Sequence, residues 1–106
     1  MFTSYVNATT SNPLPGVTRR VLAYDDHIML VEFTFDAGVH LPHHSHPHNQ
    51  VSYVKSGKME FTLDGEVFTM NPGDSITIPP DVIHGALPLE ASMVLDVFTP
   101  ARQDFL

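Results

Sequence analysis

Met59-Glu60-Phe61-Thr62-Leu63-Asp64-Gly65-Glu66-Val67-Phe68-Thr69-Met70 decides the fold class. Met59, Phe61 and Leu63 alternate with Glu60 and Thr62, the two-residue period of a strand with one buried face. Asp64-Gly65 supplies the two positive-φ residues of a tight hairpin, and Glu66 to Met70 returns antiparallel. Working outward, Asn71-Pro72-Gly73-Asp74 reads as a turn and Ser75 to Ile78 as a short strand stopped by Pro79-Pro80. Asp81 to Leu87 and Ser92 to Phe98 follow as strands. Upstream, Val17 to Tyr24 and Ile28 to Phe35 are rich in β-branched and aromatic residues, with Asp25-Asp26 as the turn between them. A further strand is predicted from Val39 to His46 and another from Gln50 to Lys55. Nine or so short strands at hairpin spacing, with no sustained helical period, define an all-β sandwich or barrel. A C-terminal helical turn is expected over Ala101 to Leu106. Residues 1–16, rich in Thr, Ser, Asn and Pro, read as an arm or edge strand preceding a single domain over residues 17–106.

The composition narrows the function classes. At 106 residues and 42% hydrophobic content, the chain supports one domain with one core. No cysteine is present, which excludes a disulfide framework, a thiolate metal site and a cysteine nucleophile. Five Lys and Arg against 12 Asp and Glu give a formal charge of −7, without the basic stripe that nucleic-acid binding needs. The longest apolar run, Ile28 to Val31, is far shorter than the ~20 residues of a spanning helix. The first 16 residues carry no basic residue and no apolar block, so no secretory signal is expected and the predicted location is the cytoplasm.

Five of the seven histidines fall between His40 and His48. Were His44 and His46 on one extended strand, both imidazoles would point the same way and form half of a divalent metal site. Gln50, beyond the bend at Pro47, and His84, after the turn at Pro79-Pro80-Asp81, are the candidate remaining donors. A His-x-His pair alone reads equally as an exposed cluster, the class to which His43 and His48 are assigned. His27 and His40 receive no role.

The spacing carries more. Gly38, five residues, His44-x-His46, three residues, Gln50, six residues and Gly57 resemble the first motif of the cupin family, with Gln50 where the family has Glu. Gly73, five residues, Pro79, then Asp81, two residues and His84 resemble the second, with Asp81 in place of a turn glycine and Pro88 in place of an Asn. Asp is among the residues that visit left-handed conformations, so the first exchange is tolerable. The resemblance implies a double-stranded β-helix, a conical barrel of two antiparallel sheets. It also implies one divalent ion (Ni, Zn, Mn, Fe or Co) held by His44, His46, Gln50 and His84. Three imidazoles and an amide would leave that ion its whole +2 charge, which suits a Lewis acid acting on an anion. The counter-reading of Gln50 is decay to a metal-free binding fold.

On the last strand, Val94, Asp96 and Phe98 alternate with Met93, Leu95 and Val97. A carboxylate on a covered apolar face is costly when unpaired, and its pKa rises toward useful proton transfer. Taken alone, Asp96 reads as a hydrogen-bonded structural residue, Arg102 as a surface cation and Phe98 as core. Leu22 to Asp26, His44 to Gln50, Ile78 to Gly85 and Leu95 to Pro100 resemble a particular small-cupin group, the KdgF type of pectin and alginate degradation. That resemblance implies linearisation of 4,5-unsaturated uronates, left by polysaccharide lyases, to 4-deoxy-5-keto-uronates. It assigns Asp96 and Arg102 to catalysis and Phe98 and Arg102 to substrate binding, in a cytoplasmic homodimer. Rival readings are a non-haem iron dioxygenase, a non-catalytic sugar-acid-binding module and a sugar isomerase or epimerase.

Overall fold

A computed structural model describes all residues, Met1–Leu106. Nine strands form: β1 (Thr9–Leu14), β2 (Val17–Tyr24), β3 (Met29–Phe35), β4 (Asn49–Ser56), β5 (Met59–Leu63), β6 (Glu66–Met70), β7 (Ser75–Ile78), β8 (His84–Pro88) and β9 (Ser92–Thr99). They build one six-stranded sheet in the order β1-β2-β3-β9-β4-β7 and one three-stranded sheet in the order β6-β5-β8. Every pairing is antiparallel. This is the all-β, two-sheet architecture expected, and the arm before residue 17 supplies the edge strand β1 after a short 3-10 turn at Tyr5–Asn7.

The deciding hairpin forms as read, with Leu63 opposite Glu66 and the turn residues Asp64 and Gly65 at φ 48° and 82°. Inward residues from both sheets make the core: Val17, Phe35, Val54 and Val94 from the larger sheet meet Met59, Phe61 and Met70 from the smaller. A second cluster of Val21, Met29, Val31, Phe98 and Ala101 fills the neighbouring volume. Fully burying one such side chain stabilises a fold by ~1.5–3 kcal/mol, so these clusters carry most of the drive to close the sheets.

Three expectations are corrected. The strand predicted from Val39 to His46 does not form; a single bridge, His44 opposite His84, is all the pairing it makes. Pro42 and Pro47 have no N–H to give to a ladder, which breaks the run into a loop. The strand predicted from Asp81 begins only at His84, because Asp81 turns the chain in the left-handed region at φ 65°. The C-terminal turn is confined to Gln103–Phe105. The loop is nonetheless anchored. His44 and His84 exchange both backbone hydrogen bonds at 2.9 Å, Asp81 N–H donates to the His46 carbonyl at 2.8 Å, and Gly38 N–H donates to the carbonyl of buried Pro88 at 2.8 Å.

Candidate metal centre

Those backbone bonds bring three imidazoles together. The rings of His44, His46 and His84 lie 4.4–5.6 Å apart between centroids, and one nitrogen from each falls within 4.8 Å of the others. His46 and His84 are buried, whereas His44 stands at the solvent side. Gly85 admits the approach of the loop, because a Cβ there would collide with the ring of His43. His43 itself is exposed, as expected. His48 is not: its ring is half-buried, 5.4 Å from the His46 ring, and its Nδ1 is buried without a partner. The exposed reading of His48 is therefore corrected: its ring packs edge-on near that of Phe98, 6.4 Å away, while the flanking Pro47 and Asn49 are exposed.

The hydrogen bonds fix which nitrogen faces the centre. Nδ1 of His44, His46 and His84 faces the carbonyls of Pro42, His48 and Val82 at 3.2, 3.1 and 2.9 Å. A carbonyl only accepts, so each Nδ1–H donates and each Nε2 is left with its lone pair. Burial lowers the pKa of His46, and lowers that of His84 to about 4, so both rings are neutral at pH 7.

Gln50 lies beside the three histidines, with its Oε1 2.9 Å from His46 Nε2. It is buried on β4, its Nε2 donates to Ser52 Oγ at 2.9 Å, and Ser52 Oγ donates to Asp96 Oδ1 at 2.6 Å. Ser52 and Asp96 are directly opposite on β4 and β9, as are Gln50 and Phe98. With Asp96 ionised, this chain has one direction, and it turns Gln50 Oε1 toward His46 Nε2 at 2.9 Å. A neutral His46 then has one N–H for two oxygen acceptors, the His48 carbonyl and the Gln50 amide. A cation held by His46 and Gln50 would satisfy the surplus acceptor, a role in which burial and Arg102 disfavour a proton. The donor set thus fits a divalent ion, with His44, His46, His84 and Gln50 as the residues able to hold it. An amide also does what a carboxylate could not, because it offers an oxygen to the centre while donating a hydrogen bond to Ser52.

Asp96 is 7% exposed, and burial raises its pKa from 3.8 to about 6 against the opposing pull of Ser52 and Gln50. It lines the same cavity as His44, Gln50, His84, Phe98 and Arg102, about 320 Å³ in volume and within the range of small-ligand sites. Phe98 is buried, and its ring lies 5.8 Å from that of His46. Arg102 sits with its Cζ 5.1 Å from the Phe98 ring, but its fork is engaged: Nε and Nη2 donate to Asp104 at 3.0 and 2.8 Å. Of the seven residues read from the sequence as a site, six therefore line one cavity, and the seventh, His46, sits beside it with its Nε2 2.9 Å from Gln50 Oε1. Three more were missed. Ser52 and Arg19 occupy inward positions of their strands, and Phe105 closes the cavity from the C-terminal turn. The signal for the first two was a polar residue in the inward phase of alternation, as at Val17-x-Arg19-x-Val21.

With two facing antiparallel sheets, and histidines from two segments converging inside them, the fold and site define a cupin. The model of the cupin domain family matches residues 31–97, and the chain belongs to this family. It is 33% identical over 93 residues to the pectin degradation protein KdgF of Dickeya dadantii, a match covering 86% of this chain and 84% of that protein. The structure is similar to KdgF from a Halomonas species, with a TM-score of 0.93 and 35% identity over 100% of this chain and 98% of the other. It is also similar to an RmlC-like cupin from Shewanella frigidimarina, with a TM-score of 0.94 and 34% identity over 99% and 95% of the two chains. No helix of the chain is long and apolar enough to cross a membrane.

Proposed function

We propose that the protein is an enzyme that linearises 4,5-unsaturated uronates, the monosaccharides released by pectin or alginate lyases, to 4-deoxy-5-keto-uronates. The observation that carries this reading is the Gln50–Ser52–Asp96 chain, which joins a neutral donor set to a buried carboxyl poised near pH 6. The two KdgF relatives support the substrate class.

The reaction is an isomerisation and needs no co-reactant. A proton is added at C4 of the ring enol ether, the C1 hydroxyl gives up its proton, the C1–ring-oxygen bond breaks, and carbonyls form at C1 and C5. A divalent ion held by His44, His46, Gln50 and His84 would supply undiminished positive charge to the substrate's oxygens. Asp96 delivers the proton to C4 and accepts one in return, directly or through water, and its raised pKa suits both halves of the exchange. Ser52 holds the Asp96 carboxyl in place through Oδ1, leaving Oδ2 for the substrate. Phe98 forms an apolar wall beneath the sugar ring, and Arg102 turns its uncommitted Nη1 to a substrate oxygen while Asp104 holds the other side of its fork.

The same reading carries a cytoplasmic homodimer. The outer face of the larger sheet presents Leu30, Val97 and Val51 in one cross-strand row and Leu95 beside Tyr53 in the next, with Val51 and Tyr53 exposed. An apolar face of this kind suits burial against a second copy.

Ultraviolet absorbance tests the function. Lyase-generated unsaturated uronate mixed with protein and divalent ion should lose its conjugated band many times faster than with the ion alone. A band that decays no faster with protein refutes the assignment, and oxygen uptake without loss of the band favours the dioxygenase reading.

A further inference from the structure

Arg19 is a cation on the inward face of β2, between Val17 at 3% and Val21 at 5% exposure. It lies opposite Phe33 of β3 and lines the cavity that holds Asp96 and the histidines. Its Nε is buried and has no hydrogen-bond partner. Its guanidinium carbon sits 4.0 Å from the centroid of the Phe105 ring, and that of Arg102 sits 4.3 Å from the same centroid. Phe105 in turn packs edge-on against Phe33 and Phe98 at 6.1 and 5.7 Å. Two guanidinium groups therefore flank one ring, with a single carboxylate, Asp104, hydrogen-bonded to Arg102 and to no one else.

A buried donor without an acceptor is costly, and two like charges around one ring add to the cost; burial and Arg102 act against the charged form of Arg19, and the nearby Asp104 carboxylate, hydrogen-bonded to Arg102, offsets them only in part. A purely structural residue between two valines would be apolar. The arrangement is one anion short, and the missing anion belongs in the cavity.

We propose that Arg19 is the carboxylate anchor of this site, and that it selects sugar acids over the corresponding neutral sugars. The proposal rests on the uronate reading above, to which it adds the residue that recognises the acid group. Arg102, committed to Asp104, then serves the sugar's other oxygens, and Phe105 holds both guanidinium planes in position. Planar guanidinium matches a carboxylate with two parallel hydrogen bonds, a geometry that lysine does not reproduce.

The test compares wild type with Arg19→Met and Arg19→Lys in the ultraviolet assay, with metal content and melting temperature measured on each. Arg19→Met should raise KM for the unsaturated uronate by ~10–100-fold, the range of a lost hydrogen bond to a charged group. It should change kcat by less than about threefold, since Arg19 touches no reacting atom. Its metal content should match wild type and its melting temperature should be equal or higher, because a half-buried cation with an unpartnered Nε has been removed. Arg19→Lys should recover only part of the KM. An unchanged KM, or a KM rise accompanied by lost metal and a lower melting temperature in both variants, overturns the proposal. Calorimetric titration with galacturonate and with galactose separates this from the parent reading. Wild type should bind the acid more tightly and Arg19→Met should lose that preference, even if no uronate is linearised. A wild type that does not distinguish the two sugars, or a variant that still does, overturns the assignment of Arg19.

Discussion

Replacing Asp96 by asparagine is expected to lower kcat by ~10²–10⁴-fold, the range for removal of a positioned acid–base group, while metal content stays at the wild-type level. Asparagine keeps the shape of the side chain, and its Oδ1 still accepts the Ser52 hydroxyl, so the Gln50–Ser52 link that orients the amide survives. The same substitution should stabilise the metal-free protein near neutrality. Burial raises the folded-state pKa of Asp96 from 3.8 to about 6. A raised carboxyl contributes stability that is fully present below the unfolded value and is lost as pH rises through 6. The rise corresponds to ~3 kcal/mol at ~1.4 kcal/mol per pH unit. Asp96→Asn removes that penalty, so its advantage in denaturant titrations should be absent near pH 3.8, grow between pH 4 and 6, and level off above. An active variant removes Asp96 from the mechanism. A variant whose stability runs parallel to wild type across this range contradicts the buried-carboxyl account.

His46→Ala is expected to abolish metal uptake and activity together. The ring supplies the nitrogen that shares a 2.9 Å contact with Gln50 Oε1, and it is the buried histidine of the two that the loop brings to the cluster. Even partners outside the ligand shell change metal affinity by ~10–100-fold when removed, and a ligand itself matters more. The fold should survive, because the loop is held here by its backbone, through the Asp81 N–H to the His46 carbonyl. His43→Ala is the contrast. That ring is exposed and turned to Gly85, so metal content and kcat should match wild type. Elemental analysis of both variants, beside circular dichroism, reads the difference. Full metal retention in His46→Ala, or its loss in His43→Ala, would place the centre elsewhere.

The strands were legible because alternation reports burial phase directly, and the turns because Asp64-Gly65 and Asp81 are residues that accept positive φ. The loop over 39–46 was misread as a strand because its β-like composition outweighed Pro42 and Pro47, each of which deletes a ladder donor. The histidines and Gln50 were legible through the spacing of two motifs. What joins them to Asp96 was not, because Ser52 meets Asp96 across a register that no local pattern specifies, at a sequence separation of 44. Arg19 shows the other limit: its inward phase was readable, but its lack of a partner is a property of the packed cavity. Arg102 was recognised as a cation near the site, and only the folded C-terminal turn reveals that Asp104 holds its fork.

The account depends on an uncharged donor set that leaves a bound ion its full charge. Calorimetric titration of chelator-stripped protein with nickel at pH 7, in two buffers of very different ionisation enthalpy, tests this directly. His46 and His84 are already neutral there and Gln50 has no proton to lose. The predicted result is saturation at one ion per chain with nearly equal heats in the two buffers, meaning far less than one proton released. Failure to take up the ion, or release of a whole proton or more with each one bound, would contradict it.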